Sequence, residues 1–82
     1  MGKNKIRLYL SNARYDKDYS LRRTAMEAGM ALQHYAKIEN GERGDRVSFM
    51  IMIRISKALG LSLDYMAEEE AKYQREINKD YY

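Results

Sequence analysis

The chain has 82 residues, a formal net charge of +3, and neither cysteine nor proline. A chain of this length forms one domain with a modest core, and without cysteine it holds neither a disulfide nor a thiolate metal site. Because it has a single histidine, we expect no metal and no cofactor, and apolar packing must stabilise the fold. It lacks a run of about 18 apolar residues and an apolar leader, which favours a cytoplasmic protein.

The positive charge is concentrated in the N-terminal half of the chain. Up to Arg46 there are ten Lys and Arg residues against six acidic ones, a balance of +4, whereas the remainder has five against six, a balance of −1. This asymmetry favours a polyanionic partner.

A first helix is predicted near the N-terminus. Ile6, Tyr9, Leu10 and Ala13 fall at positions i, i+3, i+4 and i+7, so they share one stripe of a helix. The polar run 15–19 then breaks the periodicity.

Two short helices separated by a glycine are predicted next. Ser20 can cap a helix that continues to residue 28, and Gly29 permits the positive φ of a tight turn. A third helix is predicted over residues 31–39, and the polar run 40–46 ends it.

The segment 49–55 reads Phe-Met-Ile-Met-Ile-Arg-Ile and has the β propensity of a buried strand. We predict a helix to residue 59 instead, because a single strand would have no partner in this chain. The predicted core face of that helix carries Phe49, Met52, Ile53, Ser56 and Leu59. Met50 and Ile51 fall outside that face and form a second apolar stripe, which also needs covering.

A last helix is predicted to begin at the cap Ser62. The segment 67–82 is highly charged, with Tyr73, Ile77 and Tyr81 spaced by four, so it either extends that helix or frays. The predicted elements therefore make an all-α fold.

The helices on either side of Gly29 have the order of a helix-turn-helix, whose second helix can enter a major groove. Their sequence is Ser20-Leu-Arg-Arg-Thr-Ala25, then Gly29, then Tyr35-Ala-Lys-Ile-Glu39-Asn-Gly41. With Arg14 and the segment Lys57-Ala-Leu-Gly-Leu-Ser-Leu-Asp-Tyr-Met66, this pattern resembles the Cro/cI-type (xenobiotic-response-element) family over about residues 6–66.

The resemblance implies a five-helix, phage-repressor-like DNA-binding domain over residues 4–66, followed by a charged C-terminal extension over 67–82. Family members bind operator DNA, commonly as dimers. The chain departs from the family pattern at Ala31, where a Ser or Thr cap is usual, and at Tyr35, where Ile or Val is usual.

The third helix has two contrasting faces. Ala31, Tyr35 and Ile38 lie on one side, whereas the opposite side is small and polar. On that side Gln33 can pair with adenine, Lys37 can reach guanine or a phosphate, and Ala36 can contact a thymine methyl. The predicted base-reading residues are Leu32, Gln33, His34, Ala36 and Lys37.

A second group of residues is predicted to contact phosphates. Arg22 and Arg23 lie in the first turn of their helix, where each cation opposes the helix dipole by roughly 0.3–1 kcal/mol unless an anion is near. The full predicted set is Ser20, Arg22, Arg23, Asn40, Arg43 and Arg46. For any one of the loop residues, a merely solvated surface explains the sequence equally well.

The family arrangement implies that Arg14, at the end of the first helix, pairs with Glu39, at the end of the third, and fixes its angle. A catalytic role for Glu39 is the poor alternative, because no second acid, nucleophile or histidine is spaced to cooperate with it. We therefore predict no catalytic residue and no enzymatic activity.

The leading hypothesis is a DNA-binding transcriptional regulator, a repressor, that reads a two-fold symmetric operator in double-stranded DNA. A homodimer is expected through Met50 and Ile51, because a monomer of this size makes few base contacts. Alternatively, the C-terminal segment covers these two residues within one chain. The rival function is an antitoxin-like regulator whose main ligand is another protein, docked through residues 68–82.

Overall fold

The computed structural model describes residues 5–43 and 47–78. Within these ranges the chain forms five α-helices, α1 (Leu8–Asp16), α2 (Leu21–Glu27), α3 (Leu32–Glu39), α4 (Phe49–Leu59) and α5 (Leu63–Ile77). The prediction of an all-α fold is confirmed, as is that of a helix in place of a strand at α4. Across the described ranges no helix is both long enough and apolar enough to cross a membrane.

The helix boundaries follow local hydrogen bonding. The hydroxyl oxygens of Ser20, Ser48 and Ser62 each accept a bond from the backbone N–H three residues later, which caps α2, α4 and α5. The caps predicted at Ser20 and Ser62 are thus confirmed. By contrast, α3 begins after the exposed Ala31 and has no side-chain cap. The start of α3 therefore depends on packing.

The core lies where α1, α3 and α4 meet. Leu10, Tyr35, Ile38 and Ile55 are fully buried there. Each of the three aliphatic side chains contributes about 1.5–3 kcal/mol through its removal from water. α2 packs against both α3 and α4. The two helices on either side of Gly29, α2 and α3, therefore share one core.

The predicted core faces were partly wrong. Phe49 is 72% exposed, and Ile55 fills the core instead. Ile51, which was expected outside the core face, packs partly buried against the core. The reason is that α4 is apolar on nearly every side, so periodicity alone does not fix its rotation. Ile6 precedes α1 and is exposed, in contrast to its predicted place on the buried stripe.

The last helix passes residue 66 without a break and ends at Ile77, so the predicted boundary between domain and extension falls within α5. Tyr73 is only 6% exposed and packs against the N-terminal part of the chain. Tyr73 is therefore covered within the chain and contributes little to the exposed surface of the segment 68–82. Tyr81 lies outside the described residues.

Candidate nucleic-acid interface

The turn between α2 and α3 sets the relative position of the two helices. Gly29 has a φ of +69°, and the N–H of Met30 bonds back to the carbonyl of Ala25 at 2.9 Å. Ala25 and Ala28 are buried between the helices, and their small side chains allow close approach. This arrangement leaves one face of α3 against the core and the other toward solvent.

The solvent face of α3 carries most of the residues predicted to read bases. Gln33 and Lys37 are exposed, and His34 and Ala36 are half-buried beside them. Leu32 differs, because it packs partly buried against the core and contributes to stability. Since residues seven apart nearly align on a helix, Leu32 shares the inward face with Glu39. We therefore leave Leu32 out of the reading set.

The start of α2 brings together three of the predicted phosphate contacts, Ser20, Arg22 and Arg23, which are all exposed. Ser20 uses its hydroxyl oxygen as the acceptor of the helix cap, so its O–H remains a donor. Arg23 stacks on the ring of Tyr19 at 4.4 Å and pairs with Glu27 at 3.0 Å. These two contacts orient the Arg23 guanidinium at the motif's edge.

The segment after α3 carries the other predicted phosphate contacts. Asn40 and Arg43 are exposed, and the Asn40 side chain accepts from the N–H of Glu42 at 3.0 Å and donates to its carboxylate at 3.1 Å. These bonds hold the turn locally. Arg46 lies outside the described residues.

An ion pair buried beneath the motif joins α1 to the end of α3. Arg14 donates from Nε and Nη2 to the two carboxylate oxygens of Glu39 at 2.9 and 3.1 Å, and both side chains are 9% exposed. Tyr35 donates its hydroxyl to the same carboxylate at 2.9 Å. Burial, together with the charge of Glu39, raises the pKa of Tyr35 above its ordinary value, so the tyrosine remains a donor.

A second buried ion pair was missed by the sequence analysis. Arg7 is fully buried, and its Nε and Nη2 donate to the carboxylate of Glu70 on α5 at 2.9 and 2.7 Å. Tyr9 and Gln74 donate to the same carboxylate. Burial tends to raise the pKa of Glu70, but hydrogen bonds from Arg7, Gln74 and Tyr9 outweigh it and hold that pKa below its ordinary value.

No sequence signal distinguishes this second pair, because 63 positions separate its partners and α5 carries several other acids. The nearest local feature is that Arg7 directly precedes the apolar residues Leu8, Tyr9 and Leu10, which does not point to a partner.

Two helices joined by a glycine turn, with an exposed polar face on the second, define a helix-turn-helix protein. The helix-turn-helix family model HTH_3 matches residues 10–66 of the chain. The chain belongs to this Cro/cI-type helix-turn-helix family, whose members are DNA-binding transcription regulators and generally not enzymes. Comparison with curated proteins gave no match, and comparison with solved structures gave none either.

Proposed function

We propose that the protein is a sequence-specific repressor that reads an operator in the major groove with α3. The observation that carries this proposal is the contrast between the two faces of α3. Tyr35 and Ile38 are fully buried, whereas Gln33 and Lys37 are exposed. Side chains of these two types are suited to adenine and guanine edges, and the half-buried Ala36 between them leaves room for a base pair.

Selection of binding sites from a random duplex library with the purified protein tests the proposal. We expect enrichment of one sequence with two related half-sites about one helical turn apart. A protein that retains its fold yet enriches no sequence would contradict specific operator reading. The sign of regulation is then measured with a reporter gene behind the selected site, where a repressor lowers expression.

Gln33 and Arg22 are expected to act differently on DNA. Replacing Gln33 by alanine should cost about 1–3 kcal/mol of operator binding and relax the preference at one base pair. Arg22→Ala should weaken binding to all DNA sequences alike. It should also reduce by about 1 the steepness with which the logarithm of affinity falls with the logarithm of salt concentration. Titrations of operator and scrambled duplexes at several salt concentrations separate the two effects. Unchanged affinity and unchanged site preference for Gln33→Ala would remove Gln33 from the reading set.

The proposed operator is two-fold symmetric, and the protein is proposed to bind it as a homodimer. Met50 is 58% exposed at the start of α4, beside the exposed Phe49. Phe49 also lines an apolar groove of about 420 Å³ between α4 and α5, together with Leu63 and Ala67. A second copy that covers this surface would bury these side chains and carry a second α3 to the DNA. Ile51 contributes less, because it packs partly against the core.

The variant Met50→Lys tests this interface. Burying a lysine between two copies is unfavourable, so we expect monomeric protein in sedimentation equilibrium and a loss of affinity for the two-half-site operator of about 100-fold. Met26→Lys is the matched control, because Met26 on α2 is 68% exposed and the charge change is the same. If Met50→Lys has the parent's mass and operator affinity, this surface does not join two copies.

A further inference from the structure

We propose that Glu70 on α5 is a positioning residue for DNA binding, acting through Arg7 on the end of α3. The C-terminal half of α5 is then part of the DNA-binding unit. This inference rests on the proposed function, since α3 is taken as the helix that reads the operator. Neither Arg7 nor Glu70 lies among the residues proposed to touch DNA.

The first step is the contact of Arg7 with the end of α3. Its Nη1 donates to the backbone carbonyls of Ile38 at 2.8 Å and Arg43 at 3.1 Å, and its backbone N–H donates to the carbonyl of Glu39 at 2.8 Å. The last carbonyls of a helix have no partner within the helix, and a cation there complements the helix dipole. Arg7 therefore fixes both the last turn of α3 and the backbone that follows it.

The second step is the dependence of Arg7 on α5. A fully buried guanidinium requires a counter-charge. Glu70 provides it, and each of its two carboxylate oxygens accepts a hydrogen bond from Arg7. The ring of Tyr73 covers the guanidinium at 4.3 Å, and its hydroxyl donates to the carbonyl of Lys5 at 2.8 Å. Without the Glu70 charge, the free energy of the Arg7 cation is lower in water than in the core. Its side chain then moves toward solvent, which withdraws Nη1 from α3.

The third step is the position of the affected backbone relative to DNA. Asn40 and Arg43, two of the phosphate contacts predicted from the sequence, belong to the segment whose backbone Arg7 holds. Phosphate contacts set the register of the reading helix on the duplex. A displaced segment therefore weakens operator binding more than it weakens non-specific binding, which tolerates changes of register.

The experiment compares Glu70→Gln with Glu69→Gln. Both variants remove one negative charge from the same helix, but Glu69 pairs with the exposed Lys72 and not with Arg7. We expect Glu70→Gln to lower operator affinity about tenfold while its affinity for a scrambled duplex changes by less than about twofold, and Glu69→Gln to match the parent on both. Equal operator affinity for folded Glu70→Gln and Glu69→Gln would overturn the proposal.

Amide hydrogen exchange without DNA provides a second readout that is independent of the proposed function. In Glu70→Gln the amides of Asn40 and Arg43, which bond to α3 carbonyls, should exchange faster relative to that of Ala28, which directly follows α2 and bonds to the carbonyl of Thr24. A uniform acceleration of all three would indicate a general loss of stability and would overturn the positioning role. If the parent itself selects no DNA sequence, the proposed function fails, while the exchange pattern still decides the link between α5 and α3.

Tyr9→Phe provides a milder variant should Glu70→Gln fail to fold. It removes the hydroxyl that donates to Glu70 at 2.7 Å and leaves the ion pair in place. The same selective exchange at Asn40 and Arg43 is expected, with a loss of operator affinity of about threefold. Parent-like exchange and affinity in folded Tyr9→Phe, combined with unfolding of Glu70→Gln, would assign the pair to stability alone.

Discussion

Replacing Glu39 by alanine is expected to lower the free energy of unfolding by about 3–5 kcal/mol, because it leaves a buried cation without its counter-charge. Arg14 would lose both charge-assisted bonds, and the buried hydroxyl of Tyr35 would lose its acceptor. Small domains have a total stability of about 5–15 kcal/mol, so the variant should be barely folded at room temperature. Urea unfolding followed by circular dichroism measures the change.

Glu27→Ala is the control for this prediction. Glu27 pairs with Arg23 across one turn of α2, but their side chains are 43% and 51% exposed, so the expected loss is below about 1 kcal/mol. The double variant Arg14→Met with Glu39→Met should be more stable than Glu39→Ala, since it leaves no uncompensated charge. A loss for Glu39→Ala no greater than that for Glu27→Ala would show that the buried pair contributes little.

Replacing Gly41 by alanine is expected to cost about 3 kcal/mol or more. Gly41 has a φ of +90°, a left-handed conformation that costs other residues about 1–2 kcal/mol. In addition, its new Cβ would overlap the backbone carbonyl of Lys5, which accepts the hydroxyl of Tyr73. The N-terminal segment must then move away from the end of α3. Thermal and urea unfolding both report the loss.

Gly29→Ala separates the cost of a positive φ from the cost of steric overlap with a neighbouring backbone. Gly29 also has a positive φ, +69°, but a Cβ there meets no atom within 4 Å among the described residues. Its alanine variant should lose only the conformational part, about 1–2 kcal/mol. Equal losses at the two glycines would mean that the close approach of Lys5 to Gly41 has no energetic consequence.

These variants act on one property of the molecule, the way in which α3 is held. α3 spans eight residues and has no side-chain cap, and isolated helices of this length are marginal in water. Its orientation therefore depends on tertiary contacts, both with α2 along its length and at its C-terminal end. Arg14 holds the Glu39 side chain from α1, and Arg7, fixed by Glu70 from α5, holds the backbone.

The sequence alone determined the helix order and the polar face of α3. Helical periodicity, the serine caps and the positive-φ glycines act over a few residues, so the order of the helices and their ends can be predicted without the tertiary structure. For the same reason the alternation of Tyr35 and Ile38 with Gln33 and Lys37 predicted the buried and exposed sides of α3 at these four positions. Ala31, expected on the buried side, is exposed, and Leu32, expected to read bases, packs against the core.

Only the tertiary structure decided which side of α4 faces the core, where α5 ends and which acid pairs with Arg7. On α4 the apolar residues surround the helix, so packing chose Ile55 for the core and left Phe49 exposed. Arg7 and Glu70 are distant in sequence, and nothing local distinguishes Glu70 from the acids beside it. Such choices depend on which surfaces the assembled helices remove from water, a property that belongs to the whole fold.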